Sequence, residues 1–188
     1  MSPIQQMLLG TGAVATKTYV DDIFNTYLFK GNSSTQTITN GIDLSGEGGL
    51  VWSKTRDVGD NHRLTDTVRG VNKSLCSDLT SAEYTTSGLQ GVSQFNSNGF
   101  VSGLSDSFYN DDDISSWTFR KAKGFFDIVT YTGNGSNRTI AHSLSSIPGM
   151  IIIKNVDDSD EWWAVYHRQL NGGTNPEQYY LILNDNNA

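Results

Sequence analysis

A tract of about thirty residues occurs twice in this chain, and whatever fold it adopts must give both copies compatible local structure. From Phe24 the chain reads FNTYLFKGNSSTQTITNGIDLSGEGGLVWSK, and from Phe126 it reads FDIVTYTGNGSNRTIAHSLSSIPGMIIIK. Phe24 matches Phe126, Gly31 matches Gly133, Asn32 matches Asn134 and Thr37-Ile38 match Thr139-Ile140, all 102 residues apart. After a two-residue difference in loop length, Gly49 matches Gly149 and Lys54 matches Lys154 at a spacing of 100. Arg69 in DTVRG then stands opposite Arg168 in VYHRQ, at 99.

The residues of the repeat speak for strands. Ser, Thr and Asn number 21, 18 and 16, and with 19 Gly they supply turns between short aromatic and β-branched runs. Helical spacing is confined to residues 18–28, where Tyr19, Val20, Ile23, Phe24, Tyr27 and Leu28 fit one helix face and Thr18 and Asp21 resemble a capping box. The aligned FDIVTYT is β-branched and aromatic, so the sequence predicts a short helix over about 18–23 with a strand following it. FDIVTYT is itself expected as a strand, and TGNGSN at 132–137 as a hairpin or loop. GLVWSK and GMIIIK are expected as buried strands. EWWAVYHR, from Glu161, is expected to continue as a strand, with Trp163, Val165 and His167 on one face and Trp162, Ala164 and Tyr166 on the other.

Copy one runs on through SLCSDLTSAE and QFNSNGFVSG to SSWTFRK at 115–121, whereas copy two reaches only YLILNDNNA, opposite about Leu75 to Ala82. A sandwich without its last strands leaves edges unpaired, so the expectation is of a polypeptide longer than these 188 residues.

Charge and cysteine content exclude several classes. With 13 basic and 20 acidic residues the net charge is −7, which argues against wrapping nucleic acid. No apolar run approaches the length of a membrane span, so no membrane insertion is expected, and the first residues do not read as a secretion signal. Cys76 is the single cysteine, which rules out an internal disulfide framework and suggests a small buried apolar side chain.

Chemistry-bearing residues are sparse. His62, His142 and His167 are isolated and read as hydrogen-bonded rim residues rather than metal ligands or a triad member. The acidic runs at 111–113 and 157–161 lack EF-hand spacing and read as solvated hairpin tips, with calcium as the lesser alternative. No acid/base carboxylate pair and no nucleotide motif emerges, so no catalytic residue, cofactor or metal is assigned and the chain is not expected to be an enzyme. Trp52 and Trp117 read as core, whereas adjacent Trp162 and Trp163 place one ring on each face of a strand. That pair is the candidate contact for a glycan or for another subunit. The sequons beginning at Asn32, Asn72, Asn134 and Asn137 have no secretion signal to give them meaning.

GGLVWSKTRDVGDNHRLTDTVRGVNKSL, then SAEYTTSGLQGVSQFNSNGFVSG, then WTFRK, resembles a family of tailed-phage structural proteins common in marine and cyanobacterial phages. KGFFDIVTYTGNGSNRTIAHSLSSIPGMIIIK followed by WAVYHR is similar to a second pattern of that family, so the resemblance runs from about Tyr19 to Arg168. It implies an all-β chain of tandem β-sandwich modules, jelly-roll or concanavalin-like, behind a short N-terminal docking segment. The expected division is 1–22 for docking and oligomerisation, 23–123 for the first module and 124–188 for a second, incomplete one. Ile4, Met7, Leu8, Leu9 and Val14 are the candidate docking residues. The resemblance further implies a tail fibre or fibre adaptor in the virion, assembled in the bacterial cytoplasm. Its partners would be other virion proteins, as a homotrimer, with a host-surface glycan as a possible ligand. A carbohydrate-binding receptor module is the alternative reading, and a glycan-degrading enzyme the third.

Overall fold

In the computed structural model, residues 18–86, 91–103 and 112–185 are described. Its regular secondary structure among the described residues is almost wholly short antiparallel strands. One helical turn, α1 (Val20–Ile23), precedes β1 (Phe24–Lys30), β2 (Gln36–Thr39), β3 (Gly49–Thr55), β4 (Arg63–Asp66), β5 (Lys73–Ser74) and β6 (Tyr84–Thr85). β7 (Val92–Asn96), β8 (Gly99–Ser102), β9 (Asp113–Arg120), β10 (Met150–Ile153), β11 (Ala164–His167) and β12 (Leu181–Ile182) follow, with two 3-10 turns between the last two. No helix among the described residues is long and apolar enough to cross a membrane. The helical turn and the strand after it are therefore as expected, but the capping box lies one residue further on. The Asp22 carboxylate accepts the Tyr19 N–H at 2.7 Å, in place of a Thr18–Asp21 pair.

Two sheets face one another across the first part of the chain. One has the order β1-β9-β3-β4 and the other β2-β8-β7. Alternation in GLVWSKT turns Val51 inward, where it meets Ile38, Ile42, Leu44, Val92 and Phe100 from the opposite side. Each such buried side chain contributes about 1.5–3 kcal/mol of hydrophobic stabilisation. β9 runs between β1 and β3, and beside Ile114 its buried positions are the small Ser115, Ser116 and Thr118. Their hydroxyls are satisfied in place: Ser116 donates to the Tyr27 carbonyl at 3.3 Å and Thr118 accepts from Asn40 at 2.8 Å. At the β7–β8 turn Gly99 has φ +132°, and a Cβ there would collide with the Ile38 carbonyl of β2.

The repeated tracts share a hairpin geometry. Leu50, Val51, Trp52 and Ser53 pair with Asp66, Thr65, Leu64 and Arg63. Met150, Ile151, Ile152 and Ile153 pair in the same sequence with His167, Tyr166, Val165 and Ala164. Three further contacts recur. The Thr67 N–H donates to the Gly49 carbonyl as Arg168 N–H does to Gly149. The ammonium of Lys54 donates to the Thr55 and Val58 carbonyls, and that of Lys154 to those of Asn155, Asp158 and Glu161. The His62 N–H donates to Asp78 as Trp163 N–H does to Asn184, one residue before each inner strand. This register sets Arg168 opposite Thr67, so the expected match with Arg69 is displaced by two residues.

The C-terminal part departs from the expected strands in three places. FDIVTYT has no strand, only an isolated bridge between Ala122 and Phe126, while 132–137 is a loop, one of the two forms expected. Its counterpart β1 is hydrogen-bonded to β9, and no described strand stands in the β9 position beside 126–132. GMIIIK is extended but not buried, since all four residues of β10 are exposed. The EWWAVYHR strand begins only at Ala164.

Candidate interaction surface

Most of the polar chemistry is turned inward and satisfied. Arg69 lies with its side chain 9% exposed and donates to Asp66 at 2.6 Å, to Glu83 at 3.1 Å and to the Leu64 carbonyl at 3.0 Å. That arrangement closes the loop after β4 and engages all three guanidinium nitrogens within the fold. His62 accepts the Trp52 indole N–H on Nδ1 at 2.9 Å, which needs the neutral ring. Burial lowers its pKa below the usual imidazole value, opposed by Asp78 and reinforced by Lys54. His142 and His167 each accept a backbone N–H two residues on, at 3.2 Å, far apart in sequence from His62 and from each other.

Cys76 and Tyr84 line a cleft of about 300 Å³ together with Asp60, Asn61 and Arg63. Burial pushes the Cys76 thiol up and the Tyr84 phenol up to about 12, so both stay protonated near neutral pH. A larger cleft of about 520 Å³ mixes Asp22, Asp43 and Glu47 with Arg120, Lys121 and Lys123. Lys121 is engaged there with Asp127 at 3.0 Å. Among the described residues no three His, Cys, Asp or Glu side chains converge as a metal site. In the 157–161 loop the Lys154 ammonium takes the carbonyls of Asp158 and Glu161. Asp113 pairs with Arg56 at 3.4 Å, while Asp111 lies outside the described residues.

The two candidate tryptophans part company. Trp163 is 5% exposed and inserts against the first sheets, touching Leu64 and Leu75 and donating its indole N–H to the Cys76 carbonyl at 2.8 Å. It is thus an internal anchor, with Glu83 N–H to Val156 carbonyl at 2.8 Å beside it. Trp162 is 54% exposed and is the member of the pair able to reach a glycan or a neighbouring subunit. Trp52 and Trp117 are half-buried and meet edge to face at 6.3 Å. The docking candidates Ile4, Met7, Leu8, Leu9 and Val14 lie outside the described residues.

Apart from these polar groups, the C-terminal sheet carries an apolar surface. Met150, Ile151, Ile152 and Ile153 are exposed along the whole of β10, and Tyr179, Tyr180 and Leu181 at β12 are exposed as well. With Trp162 they give the C-terminal sheet a hydrophobic exterior, a composition that marks surfaces destined for burial in a partner. The signal available was the aligned pair GLVWSK and GMIIIK. The second copy is more apolar, yet among the described residues no strand flanks it as β9 flanks the first.

A family model described as a domain of unknown function (DUF7483) matches residues 20–188. No curated protein matches, and no solved structure does.

Proposed function

The chain belongs to the DUF7483 family, and we propose that it is a structural component of a tailed-phage particle, a tail fibre or fibre adaptor. In this reading residues 23–123 and 124–188 are two related β-sandwich modules, similar to jelly-roll or concanavalin-like domains, that project from the particle. Residues 1–22 attach them to it, and three copies associate. The observation that carries the reading is the exposed aliphatic and aromatic surface of the C-terminal sheet. A surface of this kind suits a subunit held in an assembly. The motif resemblance across Tyr19 to Arg168 supplies the phage setting.

Electron microscopy of particles with and without an antibody against residues 1–30 tests the attachment. The antibody is expected to bind the free chain and to miss the particle. Equal labelling of the particle surface would sink the docking role. A second reading, a carbohydrate-binding receptor module, draws on Trp162, whose ring is exposed beside the Asp157–Glu161 loop. Saturable glycan binding that is lost in Trp162→Ala would move this reading to the front.

A further inference from the structure

We propose that the free edge of β10 is an acceptor site for one extended peptide strand with the chemistry of β9, supplied from outside residues 1–188 and docking antiparallel. The proposal rests on the internal repetition and holds whether or not the chain is a virion component.

The two hairpins share register and all three flanking contacts, so what covers the first shows what the second is shaped to receive. β3 has β4 on one side and β9 on the other. β10 has β11 on one side and, among the described residues, nothing on the other. In the first hairpin Leu50, Val51, Trp52 and Ser53 stand opposite Phe119, Thr118, Trp117 and Ser116. Transferred to the second, the same strand sets an aromatic ring against Met150 and another against Ile152. It sets small hydroxyl residues against Ile151 and Ile153. Aromatic and β-branched neighbours across a strand pair are favourable, and small residues leave room for the bulky isoleucines.

Two more observations converge on the same occupant. A Cβ on Gly49 would collide with the Phe119 carbonyl of β9, so that glycine is required by the close passage of a strand. Gly149 stands at the equivalent place, yet the group nearest its missing Cβ is the flexible Arg168 guanidinium. FDIVTYT, the counterpart of β1, carries a strand-forming sequence without a strand. A guest of the β9 kind would give it the partner that β1 has, so that the guest lies between 126–132 and β10.

The test uses the whole chain and a synthetic peptide of residues 112–121, DDISSWTFRK, with a scrambled peptide as control. Binding is followed by fluorescence anisotropy, and amide exchange is mapped by mass spectrometry. Saturable binding of one peptide per chain is expected, with exchange slowed about tenfold or more in β10 and in 126–132, and unchanged in β3. Gly149→Ala is expected to leave the melting temperature unchanged, because only a mobile side chain need move, and to weaken binding about tenfold or more. Protection appearing in β3 instead would mean exchange with the resident β9 and would overturn the proposal. So would an absence of saturable binding below about 1 mM. Concentration-dependent dimers that protect β10 and resist competition by the peptide would assign the edge to a second copy and would equally overturn it.

Discussion

At the scale of single residues, the two adjacent tryptophans have opposite weights. Trp163 fills the junction between the C-terminal sheet and Leu64 and Leu75, and its indole N–H is held by the Cys76 carbonyl. Trp163→Ala leaves a cavity and removes a buried hydrogen bond, so chemical denaturation is expected to show a loss of about 3–5 kcal/mol. Trp162→Ala, at an exposed ring, is expected to stay within about 0.5 kcal/mol of the parent. His62 adds a pH dependence. Its folded pKa lies below the unfolded imidazole value of 6.5, chiefly through burial. The unfolded chain therefore binds the proton first, and the stabilisation, complete above that value, is lost as the pH falls below it. The denaturation midpoint is expected to drop between about pH 7 and 5.5, and His62→Gln, which cannot titrate, is expected to flatten that drop. The roles of neither residue could be read from their neighbours in sequence, since the partner of Trp163 lies 87 residues away and that of His62 is an indole one strand back.

Among the elements, the fate of the repeat explains how much was legible. β1 was legible through its alignment with FDIVTYT and β3 through its apolar run, and each has a partner strand within the described chain. FDIVTYT has the same local preferences and no strand, because strand formation belongs to a pair of segments and not to one. GMIIIK was read as buried from its composition, and it is exposed for want of a covering layer. The lysine clamps were hidden for another reason: Lys54 and Lys154 were noticed only as matching letters, while their work is to gather loop carbonyls. Lys154 is held partly dehydrated, which lowers its pKa against the pull of Asp158 and Glu161. Lys154→Met is expected to cost about 1 kcal/mol globally while the amides of 155–162 exchange faster, as hydrogen-exchange mass spectrometry would show. Arg in its place is not expected to restore protection, because a planar fork cannot converge on three carbonyls as an ammonium does.

For the molecule as a whole, the first two sheets close on a shared core and the C-terminal sheet is joined to them through Trp163 and the Glu83–Val156 contact. The lone thiol lies at that junction: Cys76 is 6% exposed, and its own carbonyl holds the Trp163 indole. The molecule thereby carries a built-in clock. A thiol reagent added to the native protein reports how often the two parts separate, because labelling must wait for the junction to open. Under native conditions the labelling rate is expected to be far below that of an unfolded chain and to rise in Trp163→Ala at denaturant concentrations where both proteins are still folded. Equal rates in the two proteins would place the opening elsewhere. A faster rate in Trp163→Ala would make this thiol a gauge of the joint that it sits beneath.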